Sequence, residues 1–165
     1  MPELQLLRPE LYRAVLAFER ENRVFFAKYV LDRGDAYFDS IDDRLDELLA
    51  DQDAGTAAFY VLVDDDAAVL GRFNLEFEAD ATAQLGYRVA ECACGRGVAT
   101  ATVLDMCGLA VGRHGLRRLI AAAADSNPAS QRVLIKAGFR PTRRAHPAEL
   151  SGSPGIWYQR GLTAV

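Results

Sequence analysis

The sequence predicts one α/β domain, of the α+β type, with a mixed central sheet of about seven strands and flanking helices. Three observations support this fold class. The chain has 165 residues, 50% of them hydrophobic, which is enough to bury a core without disulfide bridges. Near Thr56 the hydrophobic period changes from helical spacing to alternation. Further along, strands and helices alternate, as is typical of α/β architecture.

The first half of the chain changes from helices to strands. Leu11, Val15 and Phe18 step by four and three residues along one face, which predicts a helix. Asp39 or Ser40 is a plausible cap for the next amphipathic helix. The predicted elements are a strand at 4–8, helical segments at 10–22, 24–30 and 38–51, and an antiparallel meander of strands at 58–63, 69–78 and 82–89.

The second half alternates helices with strands. A helix begins near residue 97 and places Ala99, Val103, Met106 and Ala110 on one face. The predicted elements are helices at 97–113 and 128–137, and strands at 116–124, 139–145 and 156–162. Because no repeat, low-complexity tract or linker interrupts the chain, we expect a single domain over residues 1–165.

Composition excludes several classes of protein. No window approaches the apolar run of about 18 residues that a membrane span needs, and the N-terminus lacks the pattern of a signal peptide. The three cysteines and two histidines show no metal-ligand spacing, so we expect no metal site, no disulfide framework and a cytoplasmic protein. The absence of a basic run argues against a nucleic-acid partner.

Charge is divided unevenly along the chain. Residues 1–80 contain 8 basic and 19 acidic residues, a net charge of −11, whereas residues 81–165 contain 11 and 4, a net charge of +7. An anionic ligand would favour the second half and a cationic ligand the first. Solvated surfaces explain the same pattern.

A glycine-rich turn lies between a predicted strand and a predicted helix. Its residues are Cys94, Gly95, Arg96, Gly97, Val98, Ala99 and Thr100. The glycines let successive N–H groups point into one concavity, and the helix start adds its positive dipole end, so the turn is a candidate site for phosphate. Thr100 stands where a dinucleotide-binding fingerprint requires a third glycine, and a simple tight turn explains the motif equally well.

A second segment is explained by helix capping alone. Asn127 is an N-cap candidate, Pro128 takes the first helical position, Ser130 lies three residues past the cap and Gly138 ends the helix.

Three segments, in this order, resemble the GNAT acetyltransferases, and most closely the Rim-type enzymes that acetylate the N-terminal alanine of ribosomal proteins. The segments cover residues 85–89, 95–100 and 127–139, and the clear likeness extends over about residues 69–140. The resemblance implies a splayed sheet, acetyl-CoA as co-substrate and no metal.

The resemblance also implies roles for individual residues. Backbone groups from Tyr87 to Val89 pair with the pantetheine arm, the turn wraps the pyrophosphate, and Asn127 hydrogen-bonds the pantetheine. The hydroxyl of Ser130 protonates the leaving thiolate. The implied co-substrate residues are Tyr87, Val89, Cys94, Gly95, Arg96, Gly97, Val98, Ala99, Thr100, Asn127 and Ser130. The family usually has Gln or Arg where this chain has Cys94, which removes one pyrophosphate contact.

Direct acetyl transfer also needs a base and a polarised carbonyl. The N–H of Val89 could polarise the thioester. In the strand at 69–78, Glu76 and Glu78 share one face, and either could lead to a proton-accepting water; Glu91 is a further candidate. We assign Glu76 with Ser130 as the catalytic pair, with solvated strand carboxylates as the alternative reading.

The predicted function is acetyl-CoA-dependent transfer of an acetyl group to a primary amine, either a protein N-terminus or a small amine, by a monomer or homodimer. We expect an acidic acceptor cleft, formed by the N-terminal helices and the strand that carries Glu76, that prefers cationic amines. The alternatives are a non-catalytic module of the same fold that binds acyl-CoA as a sensor or partner-binding protein, and a binding protein for another phosphorylated ligand.

Overall fold

The computed structural model describes residues 1–163 and confirms the α/β fold class. Helices α1 to α6 are Tyr12–Glu21, Arg23–Phe26, Asp35–Asp39, Ile41–Asp53, Val98–Gly112 and Pro128–Lys136. Strands β1 to β7 are Glu3–Leu6, Ala57–Val63, Val69–Glu78, Thr82–Val89, Arg118–Ala124, Arg140–Ala145 and Gly155–Gly161. Both β3 and β4 have the predicted bounds.

The seven strands form one mixed sheet in the order β1-β2-β3-β4-β5-β7-β6. β4 and β5 are parallel and pair at three positions, from Thr82 opposite Arg118 to Gln84 opposite Ile120. β5, in contrast, pairs antiparallel with β7 at all seven of its positions. Because β4 is eight residues long, its second half extends past its pairing with β5.

The chain divides into two compact units, and the divisions fall inside β3 and β4 and again after Cys94. The first unit contains Met1–Leu75 and Tyr87–Cys94; the second contains Glu76–Gly86 and the chain from Gly95 onward. The assignment of one domain to residues 1–165 stays a prediction. Within residues 1–163, no helix is long and apolar enough to cross a bilayer.

The first unit has a core between its helices and its strands. Val15 and Phe18 of α1 and Leu45 of α4 are fully buried, together with Val61 of β2. The helix predicted at 38–51 corresponds to α4, whose N-cap is the predicted Ser40, and a separate short helix, α3, precedes it. The Oγ of Ser40 donates to the Ala36 carbonyl at 2.7 Å, so its side chain does not cap α4. The apolar stripe continues through the break between α3 and α4, so its period could not reveal it.

The second unit is built on α5 and the strands β5 and β7. Val103, Met106 and Ala110 of α5 are fully buried on one face, as predicted, whereas Ala99 is only partly buried. Cys107 is buried on the same helix, where it packs as a small apolar residue. This packing fixes the helix whose first turn follows the glycine-rich turn.

Candidate active site

The glycine-rich turn leads directly into α5 with no side-chain cap. Gly95 and Gly97 have φ values of 75° and 76°, in the left-handed region that favours glycine. Gly97 is the N-cap of α5, and the first hydrogen bond of the helix runs from the Ala101 N–H to the Gly97 carbonyl at 3.0 Å. The N–H groups of Val98, Ala99 and Thr100 therefore have no partner within the helix. They remain available to an anion.

Space around the turn is open. A Cβ atom added at Gly95 or at Gly97 would meet no other atom within 4 Å. Open volume, N–H donors and the positive end of a 15-residue helix together fit a pyrophosphate. The exposed Arg96 side chain adds a positive charge within the turn.

Cys94 contributes no charge to this turn. Its Sγ donates a hydrogen bond to the Ala90 carbonyl at 3.4 Å, within its own loop. Burial, with the nearby Glu91 carboxylate, raises the pKa of the Cys94 thiol, so it stays neutral near pH 7. Cys94 therefore does not replace the contact that Gln or Arg makes at this position in the family.

Asn22 holds the residues just before the turn, and sequence analysis did not identify it. It is 7% exposed at the end of α1. Its Nδ2 donates to the Phe18 carbonyl at 2.9 Å, and its Oδ1 accepts from the Glu91 N–H at 3.0 Å. Asn22 thereby ties the short 3-10 turn at Glu91–Ala93 to the first helix. In the sequence, this role is indicated only by the position of Asn22, a polar residue immediately after an amphipathic helix.

The start of α6 is capped by its own side chain, as predicted. The Oδ1 of Asn127 accepts from the Ser130 N–H at 3.2 Å, and Pro128 occupies the first helical position. Because Oδ1 is used as the cap, the amide Nδ2 is the part of Asn127 suited to donate to a ligand. Asn127 and Ser130 are both half-buried.

The strand end that precedes Asn127 is also fixed. The carboxylate of Asp125 pairs with Arg144 at 2.6 Å, and its N–H donates to the Pro154 carbonyl at 2.9 Å. The hydrogen bonds from Arg144 hold the pKa of the Asp125 carboxyl below its usual range. The Nε2 of Gln131 reaches back to the Ala124 carbonyl at 2.9 Å.

Two of the three predicted base candidates, Glu76 and Glu78, lie on β3 as expected, whereas Glu91 begins the short 3-10 turn after β4. Phe73 and Leu75 are fully buried, whereas Glu76 and Glu78 are exposed on the other face. Because both carboxylates are exposed, a water molecule could reach either of them and accept a proton. The same exposure is expected of strand carboxylates that are only solvated. The base therefore stays a prediction.

A buried ion-pair cluster in the first unit was not predicted. Glu19 of α1 is 2% exposed; Arg72 Nη1 lies 2.7 Å from its Oε1, and Arg88 Nη1 lies 3.1 Å from its Oε2. A sequence signal existed, since Glu19 lies four residues after the buried Val15. Its partners are 53 and 69 residues away in the chain, too far for any local pattern to identify.

The structure therefore groups the predicted residues by unit. The second unit contains Glu76, the turn from Gly95 to Thr100, and the hydrogen-bonded pair Asn127 and Ser130. The first unit contains Tyr87, Val89 and Cys94. Among residues 1–163 there is no cluster of three His, Cys, Asp or Glu side chains that could hold a metal ion.

Comparison with known protein families identifies the class of protein. Residues 3–140 match the family described as the acetyltransferase (GNAT) domain, so the chain belongs to the GNAT acetyltransferase family. This confirms the resemblance seen in the sequence, and with it an N-acetyltransferase that uses acetyl-CoA as co-substrate. A search of curated protein sequences found no match.

Solved structures share the fold at low identity. The ribosomal-protein-S5-alanine acetyltransferase of Vibrio fischeri is 20% identical, with a TM-score of 0.87 over 97% of this chain and 92% of that one. Mycobacterium smegmatis RimJ, in complex with CoA-disulfide, is 20% identical, with a TM-score of 0.84 over 96% and 80%. The spermidine N-acetyltransferase of Vibrio cholerae, with CoA and spermine, is 15% identical, with a TM-score of 0.79 over 97% and 95%. These likenesses confirm the fold.

Proposed function

We propose that the protein transfers the acetyl group of acetyl-CoA directly to a primary amine, on a protein N-terminus or a small molecule, in the cytoplasm. The observation that carries the proposal is the uncapped start of α5, which follows two left-handed glycines whose Cβ positions are open. The similar structures include enzymes named for ribosomal-protein and spermidine acetylation, which supports an amine acceptor.

The turn binds the pyrophosphate of the co-substrate. Each N–H of the first helical turn is a preorganised donor, and the helix dipole favours an anion at that end. The net charge of +7 over residues 81–165 attracts the three phosphates of coenzyme A to this half of the chain.

Residues of the second unit supply the next steps. Asn127 donates its Nδ2 to the pantetheine arm while its Oδ1 caps α6, and the Ser130 hydroxyl gives its proton to the departing thiolate. Protonation of the thiolate stabilises charge that exists only as the C–S bond breaks, so it contributes to turnover more than to binding. Val89 polarises the thioester carbonyl through its N–H.

Glu76 is the proposed acceptor of the amine proton through a water molecule. Glu78 provides a matched control, because it is exposed on the same face of β3, two residues away. Glu76→Gln is expected to lower kcat at least tenfold near neutral pH, whereas Glu78→Gln leaves kcat within about twofold. Equal kcat values for the two variants would remove Glu76 as the base.

The experiment that tests the function is an acetyl-transfer assay on a panel of amines and N-terminal peptides. The release of free coenzyme A is measured together with the mass of each N-acetylated product. Acetylated amine equal in amount to the released thiol supports direct transfer. Tight binding of acetyl-CoA with no product from any amine would instead favour the non-catalytic acyl-CoA-binding module.

A further inference from the structure

A cleft in the first unit contains more positive charge than its carboxylates neutralise. It lies between the end of α1, α2, the segment that leads to α3, α3 itself and one residue of β4. Its charged lining consists of Glu19, Arg23, Asp32, Arg33 and Arg88. The N-terminal helices thus form a cleft, but Glu76 does not line it, and its charge is opposite to the acidic character expected from the sequence.

Glu19 neutralises only one of the two guanidinium groups that it contacts. One of its carboxylate oxygens accepts from Arg72 at 2.7 Å, and the other accepts from Arg88 at 3.1 Å. The three side chains therefore have a net charge of +1. Because Glu19 is 2% exposed, water screens this charge poorly.

Arg33 adds a second uncompensated charge. Its guanidinium lies 4.7 Å from the centre of the Tyr37 ring, and the hydroxyl of Tyr37 lies 3.4 Å from Arg72 Nη1. Over residues 1–163, Arg33 makes no ion pair with a carboxylate. Tyr37 thus links Arg33 to the Glu19 cluster.

The outer arginine of the cleft is already paired. Arg23 lies 2.8 Å from Asp32 and 2.9 Å from Asp35, and its guanidinium stacks on the Phe38 ring at 4.3 Å. It is therefore not the group that needs an additional anion.

Arg88 is the inner donor of the cleft. Its guanidinium lies 4.8 Å from the centre of the Phe26 ring, and its side chain is 23% exposed. Burial lowers the pKa of this guanidinium below its usual range, since the opposing effect of the Glu19 carboxylate is smaller, and repulsion from Arg33 and Arg72 adds to the lowering. A guanidinium held in such surroundings offers its remaining N–H groups to a carboxylate, which it matches in geometry.

We propose that this cleft binds a carboxylate of the acceptor through Arg88 and Arg33, so that the preferred acceptor is an amine that also carries a carboxylate. The inference rests on the proposed acetyl transfer and defines its substrate class. Arg88 immediately precedes Val89, the residue proposed to polarise the thioester, so an acceptor held by Arg88 lies next to that part of β4.

The test compares two dipeptide amides, alanyl-glutamic acid amide and alanyl-glutamine amide, which share the same N-terminal amine and differ in one carboxylate. The wild-type kcat/KM should be about tenfold higher for the acid. Arg33→Gln and Arg88→Gln should each bring this ratio close to one. Arg13→Gln is the matched control, because Arg13 is an exposed arginine on α1 outside the cleft, and it should keep the wild-type ratio.

Two further readouts keep the result unambiguous. The affinity for acetyl-CoA should be unchanged in Arg33→Gln; a weaker affinity would show that the cleft binds a phosphate of the co-substrate, and would overturn the proposal. Calorimetry of the two N-acetylated dipeptide products with the coenzyme A complex should show tighter binding of the acid in the wild type only.

Failure of the inference and failure of the proposed function are distinguishable. A protein that neither binds acetyl-CoA nor acetylates any amine contradicts the proposed function. A wild-type ratio at or below one, a ratio that both cleft variants leave unchanged, or equal affinities for the two products would overturn the carboxylate proposal even in a fully active acetyltransferase.

Discussion

The two long helices of the second unit begin in opposite ways. α5 begins on Gly97 in a left-handed conformation, with no side-chain cap and no atom within 4 Å of an added Cβ. α6 begins on Asn127, whose Oδ1 accepts from the Ser130 N–H, with Pro128 at the first helical position. The first N–H groups of α5 therefore have no partner within the helix, whereas at α6 the Asn127 side chain accepts a hydrogen bond from one such group.

This difference indicates what each helix start contributes. A helix start without a side-chain cap can bind an anion through its backbone N–H groups. Its other positions can then vary in sequence, provided that the glycines that set the turn remain. A helix start that is capped by a side chain has fewer free N–H groups. It can take part in a site through its side chains, because the capping hydrogen bond fixes their orientation. We therefore propose that backbone groups at α5 bind the acetyl donor and that side chains at α6 take part in the chemical step.

The largest expected effect at α6 concerns Ser130. Ser130→Ala should lower kcat at least tenfold per folded molecule while the KM for acetyl-CoA changes little, because the proton is given only as the thiolate leaves. Steady-state kinetics together with thermal unfolding measures both. Ser126→Ala, an exposed serine four residues earlier, is the control. Full turnover in a folded Ser130→Ala protein would assign thiolate protonation to water or to the amine.

A smaller effect separates the two roles of Asn127. Asn127→Ala should lower the free energy of unfolding by about 1 kcal/mol, because the cap of α6 is lost. Asn127→Asp keeps an acceptor for the Ser130 N–H and should retain this stability. Both variants lack the Nδ2 donor, so both should bind acetyl-CoA several-fold more weakly. Wild-type affinity in Asn127→Asp would reduce Asn127 to a helix cap.

The smallest effect concerns the ion pair before Asn127. Arg144 lowers the pKa of Asp125 in the folded protein, so the pair stabilises the fold above the carboxyl's ordinary pKa, and this contribution disappears as the pH falls through the lowered value. Asp125→Asn should slightly lower the unfolding midpoint at pH 7, with the difference from wild type shrinking toward pH 3. A difference that grows on acidification would contradict this assignment.

Local patterns predicted much of the fold. The end of β3 follows from the alternation of apolar and polar residues between Arg72 and Glu78, and the start of α6 follows from the Asn127-Pro128 signal. The predicted cap residue Ser40 is the N-cap of α4, whereas the separate helix α3 before it was not predicted, because the apolar stripe continues through Phe38 and Ile41.

The candidate site was predicted unevenly for a similar reason. The glycine turn is contiguous in sequence, so its conformation follows from Gly95 and Gly97 alone. The Glu19 cluster joins residues of α1, β3 and β4, and it exists only once the sheet has brought Arg72 and Arg88 together. Half-chain charge suggested an acidic cleft at the N-terminal helices, whereas the cleft found there has three arginines and two carboxylates among its lining residues.

The central claim, that the uncapped start of α5 binds the phosphates of acetyl-CoA, is tested most directly at Gly97. Asn and Asp are nearly the same size and both tolerate a left-handed conformation, so Gly97→Asn and Gly97→Asp differ only in charge. Calorimetric titration with acetyl-CoA should show at least tenfold weaker binding to Gly97→Asp than to Gly97→Asn, while the Asp variant is at least as stable because its carboxylate lies at a helix N-terminus. Equal affinities for acetyl-CoA in two folded variants would contradict the claim and place the phosphates elsewhere.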